Sequence, residues 1–179
     1  MRYDFDLPVS TEDLMKLKTG DLIYITGLII TARDLAHKRI LEYKKENKNY
    51  PESFEKIKNT AIYHCGPIIK KDDSNYKIVS AGPTTSARMD AVENEAARIL
   101  DIHIIIGKGG MKNLDVKNQK IVYLAYPGGC GAIASKMILG VEHVEWLDLG
   151  SSEAMWFLKV KDFGPLIVTQ DTTGKSAYK

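Results

Sequence analysis

Three cations in this sequence stand beside turns where the chain leaves an apolar run. Arg33 follows the isoleucine-rich run ending at Ala32, Arg88 closes the stretch AGPTTSAR, and Lys108 lies between Gly107 and Gly109. An arginine fork grips a carboxylate through two parallel hydrogen bonds and a lysine supplies a point charge, so the three suit a small dicarboxylate or a phosphate. The residue types do not choose between those two. GKGG is not the phosphate loop, which requires GxxxxGK[ST]. Thr84 and Thr85 sit where a helix is expected to begin, a position at which threonine ordinarily serves as a cap. His37 comes four residues after Arg33 and shares its helix face, which suits acid–base chemistry or a plain structural hydrogen bond. His64, His103 and His143 fall within strand-like runs and are not candidates. Cys130, in GGCGA, stands at a helix start where thiols become reactive, but no base accompanies it and a structural role is expected.

The elements that must position these residues follow from apolar spacing and turn chemistry. STEDLMKLKTG reads as a short helix capped by Ser10 or Thr11, with Leu14 and Leu17 on one face and Gly20 as its stop. DLIYITGLIITA reads as a strand with a bulge or close backbone approach at Gly27. It runs into a helix over ARDLAHKRILEYKKENK, with Leu35, Ile40 and Tyr43 at helical spacing. TAIYHCG is a strand, and PIIKKDDSNYKIVSAG is an antiparallel hairpin around an Asp-Asp-Ser-Asn turn that delivers GPTT at its end. Met89, Val92, Ala96 and Ile99 or Leu100 then predict a helix from near Thr85 to about Leu100. IHIIIGKGG and KIVYLAYPGGCGAIASKMILG each read as an apolar strand leading to a glycine loop, the second continuing into a small-residue helix. VEHVEWLDLG and AMWFLKVKDFGPLIVTQD complete the set of strands, with Trp146 and Trp156 as core anchors. The sum is an α/β or mixed β/β/α domain with three glycine-bearing strand-to-helix corners, at GPTTSAR, GKGGM and PGGCGA. Free N–H groups and the positive dipole end at such corners favour an anion.

Composition bounds the class. The 179 residues are 44% hydrophobic, which suits a single domain spanning residues 1–179 with a real core. A formal net charge of +2, with 27% charged residues, demands neither nucleic acid nor an anionic membrane as partner. No apolar run approaches the ~20 residues that span a bilayer, and MRYDFDLPVS carries no apolar leader, so a cytoplasmic protein is expected. Two cysteines, Cys65 and Cys130, are too few to hold a metal cluster and do not form a disulfide framework.

Taken in order, GDLIYITGLIITARDLAHKR, GPTTSARMD, GKGGM, YPGGCGAIA and DFGPLIVTQD resemble the β subunit of the two-subunit class I fumarases and L-tartrate dehydratases, over about Gly20 to Asp171. The resemblance implies a swivelling β/β/α domain. It also implies an α subunit whose cysteines ligate an oxygen-sensitive 4Fe-4S cluster, none being bound by this chain alone, and a higher hetero-oligomer. The implied reaction is reversible hydration of a four-carbon dicarboxylate, fumarate to L-malate, with the β chain closing over the cluster; L(+)-tartrate dehydration is the alternative. By motif position, Thr84 corresponds to the threonine that takes a proton from carbon, and Arg33, Arg88 and Lys108 to ligands of the substrate carboxylates. A threonine hydroxyl is a very weak base, so that role requires desolvation, flanking cations and a relay partner. Thr85 and His37 are the alternatives, His37 ranking second. A non-enzymatic dicarboxylate-binding or assembly module is the competing class.

Overall fold

In the computed structural model of the chain, residues 1–72 and 75–178 are described. Their elements are, in chain order, β1 (Arg2–Asp6), α1 (Thr11–Leu14), β2 (Leu22–Thr31), α2 (Asp34–Lys45), β3 (Ala61–Tyr63), β4 (Ile68–Asp72), β5 (Asn75–Ser80), α3 (Glu93–Leu100), β6 (Ile104–Gly107), β7 (Val122–Ala125), α4 (Gly131–Lys136), β8 (Ile138–Glu145) and β9 (Met155–Gln170). Short 3₁₀ turns intervene at Glu52–Ile57, Ser86–Met89 and Leu147–Leu149.

The architecture is the expected mixed sheet with helices, built around β2. Along one edge β2 carries β1 and then β3, both parallel to it; along the other it pairs antiparallel with β9. β6 follows β3 and β7 follows β6 in parallel, and β7 also bonds to β9. Strands β2, β3, β6, β7 and β9 therefore close into a barrel, so each of these five has neighbours on both sides, while β1 and β8 stand at the edges. β8 extends the sheet from β9, and β4 with β5 forms a separate hairpin. The turn expected at Asp73 and Ser74 lies outside the described residues.

Both faces of the barrel strands are apolar, and alternate residues serve different cores, as the two-residue period of a strand requires. Tyr63, Ile106, Leu124 and Phe163 belong to one cluster, in which Tyr63 and Phe163 meet edge to face at 5.3 Å. Ile62, Ile105, Tyr123 and Phe157 belong to the other, covered by Ala36 and Ile40 of α2 and by Ala96 and Leu100 of α3. Trp156 is fully buried and Trp146 nearly so, as expected of core anchors. Among the described residues, no helix is long and apolar enough to cross a membrane.

Several elements differ from the sequence reading. MRYDFD forms β1, a parallel edge strand whose Tyr3 and Phe5 lean on the core. The helix expected from Thr85 to Leu100 is split into the 3₁₀ turn Ser86–Met89 and α3. Its break is held by Asp90, whose carboxylate accepts from the backbone and side-chain amides of Asn113 at 3.1 Å each. GKGGM leads into an irregular loop rather than a helix, and MILG opens β8 instead of ending α4. Ser10 is the α1 cap, accepting from the Asp13 amide.

Because β2, β3, β6 and β7 run in parallel, the loops at their carboxyl ends emerge on one rim, the usual ligand side of such sheets. Gly27 sets how β2 meets the β1 connection. It has φ +127°, and a Cβ there would lie 3.0–3.2 Å from the Cβ, carbonyl and amide of Leu7. Gly27→Ala is expected to cost roughly 1–3 kcal/mol, a fall in Tm of roughly 2–10 °C for a chain of this size. Differential scanning calorimetry of the two chains checks this, and an unchanged Tm would show that the Leu7 corner yields freely.

Candidate functional site

Four loops meet at the rim. β2 leads to Ala32–Asp34, β3 to His64–Gly66, β6 to Lys108–Gly109 and β7 to Tyr126–Gly128. The hairpin returns AGPTTSAR across them: the Thr84 amide donates to the His64 carbonyl at 2.7 Å, the Ser86 amide donates to the Lys108 carbonyl at 3.0 Å, and Cys65 pairs with Pro83 and Thr85 with Lys108 as isolated bridges. Residues 51 to 75 positions apart in sequence, Arg33 with Thr84, Arg88 and Lys108, thus share one end of the barrel.

The three cations have different surroundings. Arg33 is largely buried, with its Nε 3.4 Å from Glu153 Oε1. A Cβ on Gly66 would sit 2.2 Å from Arg33 Nη1, so the missing side chain there makes room for the guanidinium. Arg88 is half exposed and meets Asp34 twice, Nη2 to Oδ2 at 2.8 Å and Nε to Oδ1 at 3.2 Å. Lys108 is half-buried, runs beside Gly128 and forms no ion pair among the described residues. Three formal positive charges against Asp34 and Glu153 leave the rim one charge positive. That surplus, with ten arginine N–H donors, suits an anion more than a cation.

Thr84 is half-buried and Thr85 exposed. Thr85 turns its methyl toward Gly109, where an added Cβ would lie 3.9 Å away. His37 is placed otherwise than a group facing ligand would be: its ring has no exposed surface. Its Nδ1 donates to the Arg33 carbonyl at 2.8 Å and its Nε2 stands 2.9 Å from Glu93 Oε2, off the line of a good hydrogen bond. The Arg33 carbonyl requires a proton on Nδ1, and the carboxylate beside Nε2 favours a second. The same Glu93 oxygen accepts from His64 Nε2 at 2.7 Å, His64 Nδ1 meets Ser86 Oγ at 2.8 Å, and Ser86 Oγ meets the Tyr123 hydroxyl at 2.7 Å. One assignment is consistent with these contacts: Tyr123 donates to Ser86, Ser86 to His64 and His64 to Glu93, while the His37 ring lies close to the same Glu93 oxygen without a well-aligned bond. Gly107 makes this junction possible, since a Cβ there would fall 2.0 Å from Ser86 Oγ and 2.9 Å from the Tyr123 hydroxyl.

The electrostatics agree with that assignment. Burial by itself would raise the Glu93 carboxyl, but His37 and His64 hold it well below the usual carboxylate range. Burial opposes charge on His37, yet Glu93 and the Arg33 carbonyl raise it above the ordinary histidine value. Glu93 also opens α3, so the positive end of that helix favours its anion.

His37, His64 and Glu93 are also the one group of potential metal ligands that lie close together among the described residues. Both Nε2 atoms face one carboxylate oxygen, at 2.7 Å for His64 and 2.9 Å for His37, and each Nδ1 has a partner of its own. The cysteines do not suit an iron–sulfur cluster, which takes three or four thiolates. Burial pushes the Cys65 thiol up, the nearby Arg33 charge opposing it only in part, and Cys130 stands at the N-cap position of α4 without a side-chain cap bond. His103 lies at the opposite end of β6, bonded to the Gln119 carbonyl, and His143 pairs with Glu145 on β8.

Glu93, His64, Ser86 and Tyr123 were not singled out from sequence. Glu93 carried a signal: it stands four residues after Met89 and three before Ala96, on the apolar face of the expected helix. A charge on that face must be paired. His64, between fully buried Tyr63 and Cys65, carried the matching demand.

Compared with known proteins, the chain matches a family model described as "Fumarase C-terminus" over residues 1–179. It is 46% identical to the "Putative L(+)-tartrate dehydratase subunit beta" of Methanocaldococcus jannaschii, across all of this chain and 92% of that one. It is 38% identical to the L(+)-tartrate dehydratase subunit beta of Escherichia coli K12, across 94% of this chain and 83% of that one. A "Putative fumarate hydratase class I" of Geobacillus stearothermophilus is 36% identical over 96% of this chain, which spans 32% of that longer protein.

The buried pair makes stability depend on pH in a stated direction. His37, raised above 6.5, contributes stability that is complete below that value and is lost as pH rises through its folded value; Glu93, lowered from 4.5, contributes above 4.5 and loses its contribution in stronger acid. Tm measured by calorimetry is therefore expected to fall as pH is raised from 6 toward 9, and Glu93→Gln is expected to flatten that fall. Parallel Tm–pH curves for the two chains would show that the pair does not govern it.

Proposed function

Because the chain belongs to the fumarase C-terminus family, we propose that it is the β subunit of a cytoplasmic two-chain hydro-lyase that reversibly hydrates fumarate to L-malate. The single observation that carries this reading is the convergence of Arg33, Thr84, Arg88 and Lys108 on one rim of the barrel. A four-carbon dicarboxylate carries two negative charges, and the rim offers two guanidinium forks and an ammonium at separate loops. Binding by Arg88 exchanges part of its contact with Asp34 for a substrate carboxylate, and Lys108 meets the ligand with no ion pair to displace among the described residues.

In the dehydration direction the carbon beside one carboxylate loses a proton, the neighbouring carbon loses hydroxide, and the double bond forms between them. Thr84 receives the carbon proton in this proposal. Thr84 is half-buried on the rim that carries the three cations, whose field would favour an alkoxide, and the backbone bond to His64 keeps the residue in place. His37, with no exposed ring atom, acts through position rather than contact. Activation of the leaving hydroxyl falls to a partner: the cysteines here do not form a cluster site, so the 4Fe-4S cluster belongs to an α subunit that faces this rim within a hetero-oligomer.

A second reading, dehydration of L(+)-tartrate, is favoured by the names of the two-chain relatives. It keeps the same residues and changes one substrate hydroxyl. Anaerobic assays of the chain alone and with a cluster-bearing α subunit, using malate and L-tartrate in parallel, separate these readings. Turnover is expected only in the mixture, while dicarboxylate binding without turnover in any mixture would favour a binding module. In the active mixture, Thr84→Ala is expected to keep assembly, read by size-exclusion chromatography, and to lower kcat by ~10²–10⁴-fold. Near-normal kcat would remove Thr84 from the mechanism.

A further inference from the structure

The buried side chains behind the rim are more than packing. A buried ion pair roughly breaks even against an apolar replacement, so its presence is weak support for a stabilising role. Here one oxygen, Glu93 Oε1, is buried without a hydrogen-bond partner among the described residues, a further cost. What the arrangement does provide is a set of fixed backbone positions. His37 donates twice to the Arg33 carbonyl, from its amide at 3.0 Å and from Nδ1 at 2.8 Å. The His64 carbonyl holds the Thr84 amide at 2.7 Å. Ser86, bonded to the His64 ring, donates its amide to the Lys108 carbonyl. Each backbone that carries a candidate ligand-facing residue from a barrel strand thus hangs from a residue joined to Glu93 directly or through one intermediate.

We propose that Glu93 is the positioning residue of this site, fixing through His37 and His64 the separation between the backbones that carry Arg33 and Thr84. The proposal rests on the hydro-lyase reading for its kinetic consequence and on geometry alone for its structural one. Glu93 Oε2 accepts from His64 Nε2 at 2.7 Å and stands 2.9 Å from His37 Nε2, so its single charge faces two imidazoles, one on α2 and one just after β3. Glutamine has one oxygen and one amide in place of two oxygens; it can accept from one ring and must present N–H to the other, or turn away. Either outcome releases one of the two backbones. A misplacement of about 1 Å in a reacting group costs on the order of 10²-fold in rate. The groups facing His37 are Glu93 from α3, His64 just after β3, and Asp34 on its own helix, so removing Glu93 removes the neighbour that most favours the imidazolium.

The test compares wild type and Glu93→Gln in the complex with the cluster-bearing partner, by kcat and KM against pH and by hydrogen exchange of the Thr84 amide. In the variant, kcat is expected to fall by about 10- to 100-fold, more than KM changes. The alkaline limb of its pH profile is expected to move to lower pH, and Thr84 exchange to rise at least tenfold while that of Ile105, in the barrel, is unchanged. An unchanged kcat and pH profile in an active complex would overturn the proposal. If the wild-type complex turns over no dicarboxylate, the hydro-lyase reading fails, and exchange alone decides: unchanged Thr84 protection overturns positioning, and a selective rise upholds it. A stoichiometric metal ion in the wild type that is lost with Glu93→Gln would overturn it as well, because the three residues would then be ligands. Should Glu93→Gln fail to fold, Ser86→Ala cuts the network on its far side, and the same Thr84 exchange and kcat measurements decide in the same way.

Discussion

One carboxylate oxygen, Glu93 Oε2, is shared by two histidines in the space between the barrel and its covering helices. An ionised carboxylate without water is tolerated only where cations or donors replace its hydration. That demand ties α2, α3 and β3 together: His37 must come from the first turn of α2, His64 from the residue after β3, and Glu93 from the start of α3. It also explains why the helix after AGPTTSAR is broken. A continuous helix would bury the carboxylate mid-helix, whereas a fresh helix start places it at free N–H groups and the positive dipole end.

The rim is joined to that buried layer through the Arg33, His64 and Lys108 carbonyls. Glycines at 66 and 107 are sites of close approach: one admits the Arg33 guanidinium, the other the contact of Ser86, His64 and Tyr123. The side chains that would meet a ligand are then carried by short loops on rigid strands, the arrangement that combines accurate placement with exposure. Thr84 and Lys108 are half-buried and Arg88 half exposed, so these candidate residues stay partly accessible at the rim.

How much was legible follows from how local each signal was. The isoleucine strand with Gly27, the Ser10 cap and the cations beside glycine turns are short-range patterns, and they appear in the fold where their spacing placed them. β1 was overlooked although RYDFD alternates polar and aromatic residues, because an edge strand with exposed faces carries few apolar positions. The three corners were expected to open helices, yet GKGGM enters an irregular loop and the other two open helical pieces of only four and six residues. The anion preference of the rim therefore comes from arginine and lysine side chains more than from helix ends.

By itself, the sequence determined the mixed α/β character, the apolar strands and the glycine-flanked cations at their ends, because these depend on neighbours within a few residues. Only the tertiary structure decided that β9 would close the barrel against β2 and that His37 would turn inward. It alone brought Glu93 to His64, 29 positions away in sequence. Such pairings have no period and no fixed spacing; they exist because a buried charge must find its partners wherever the closed sheet brings them.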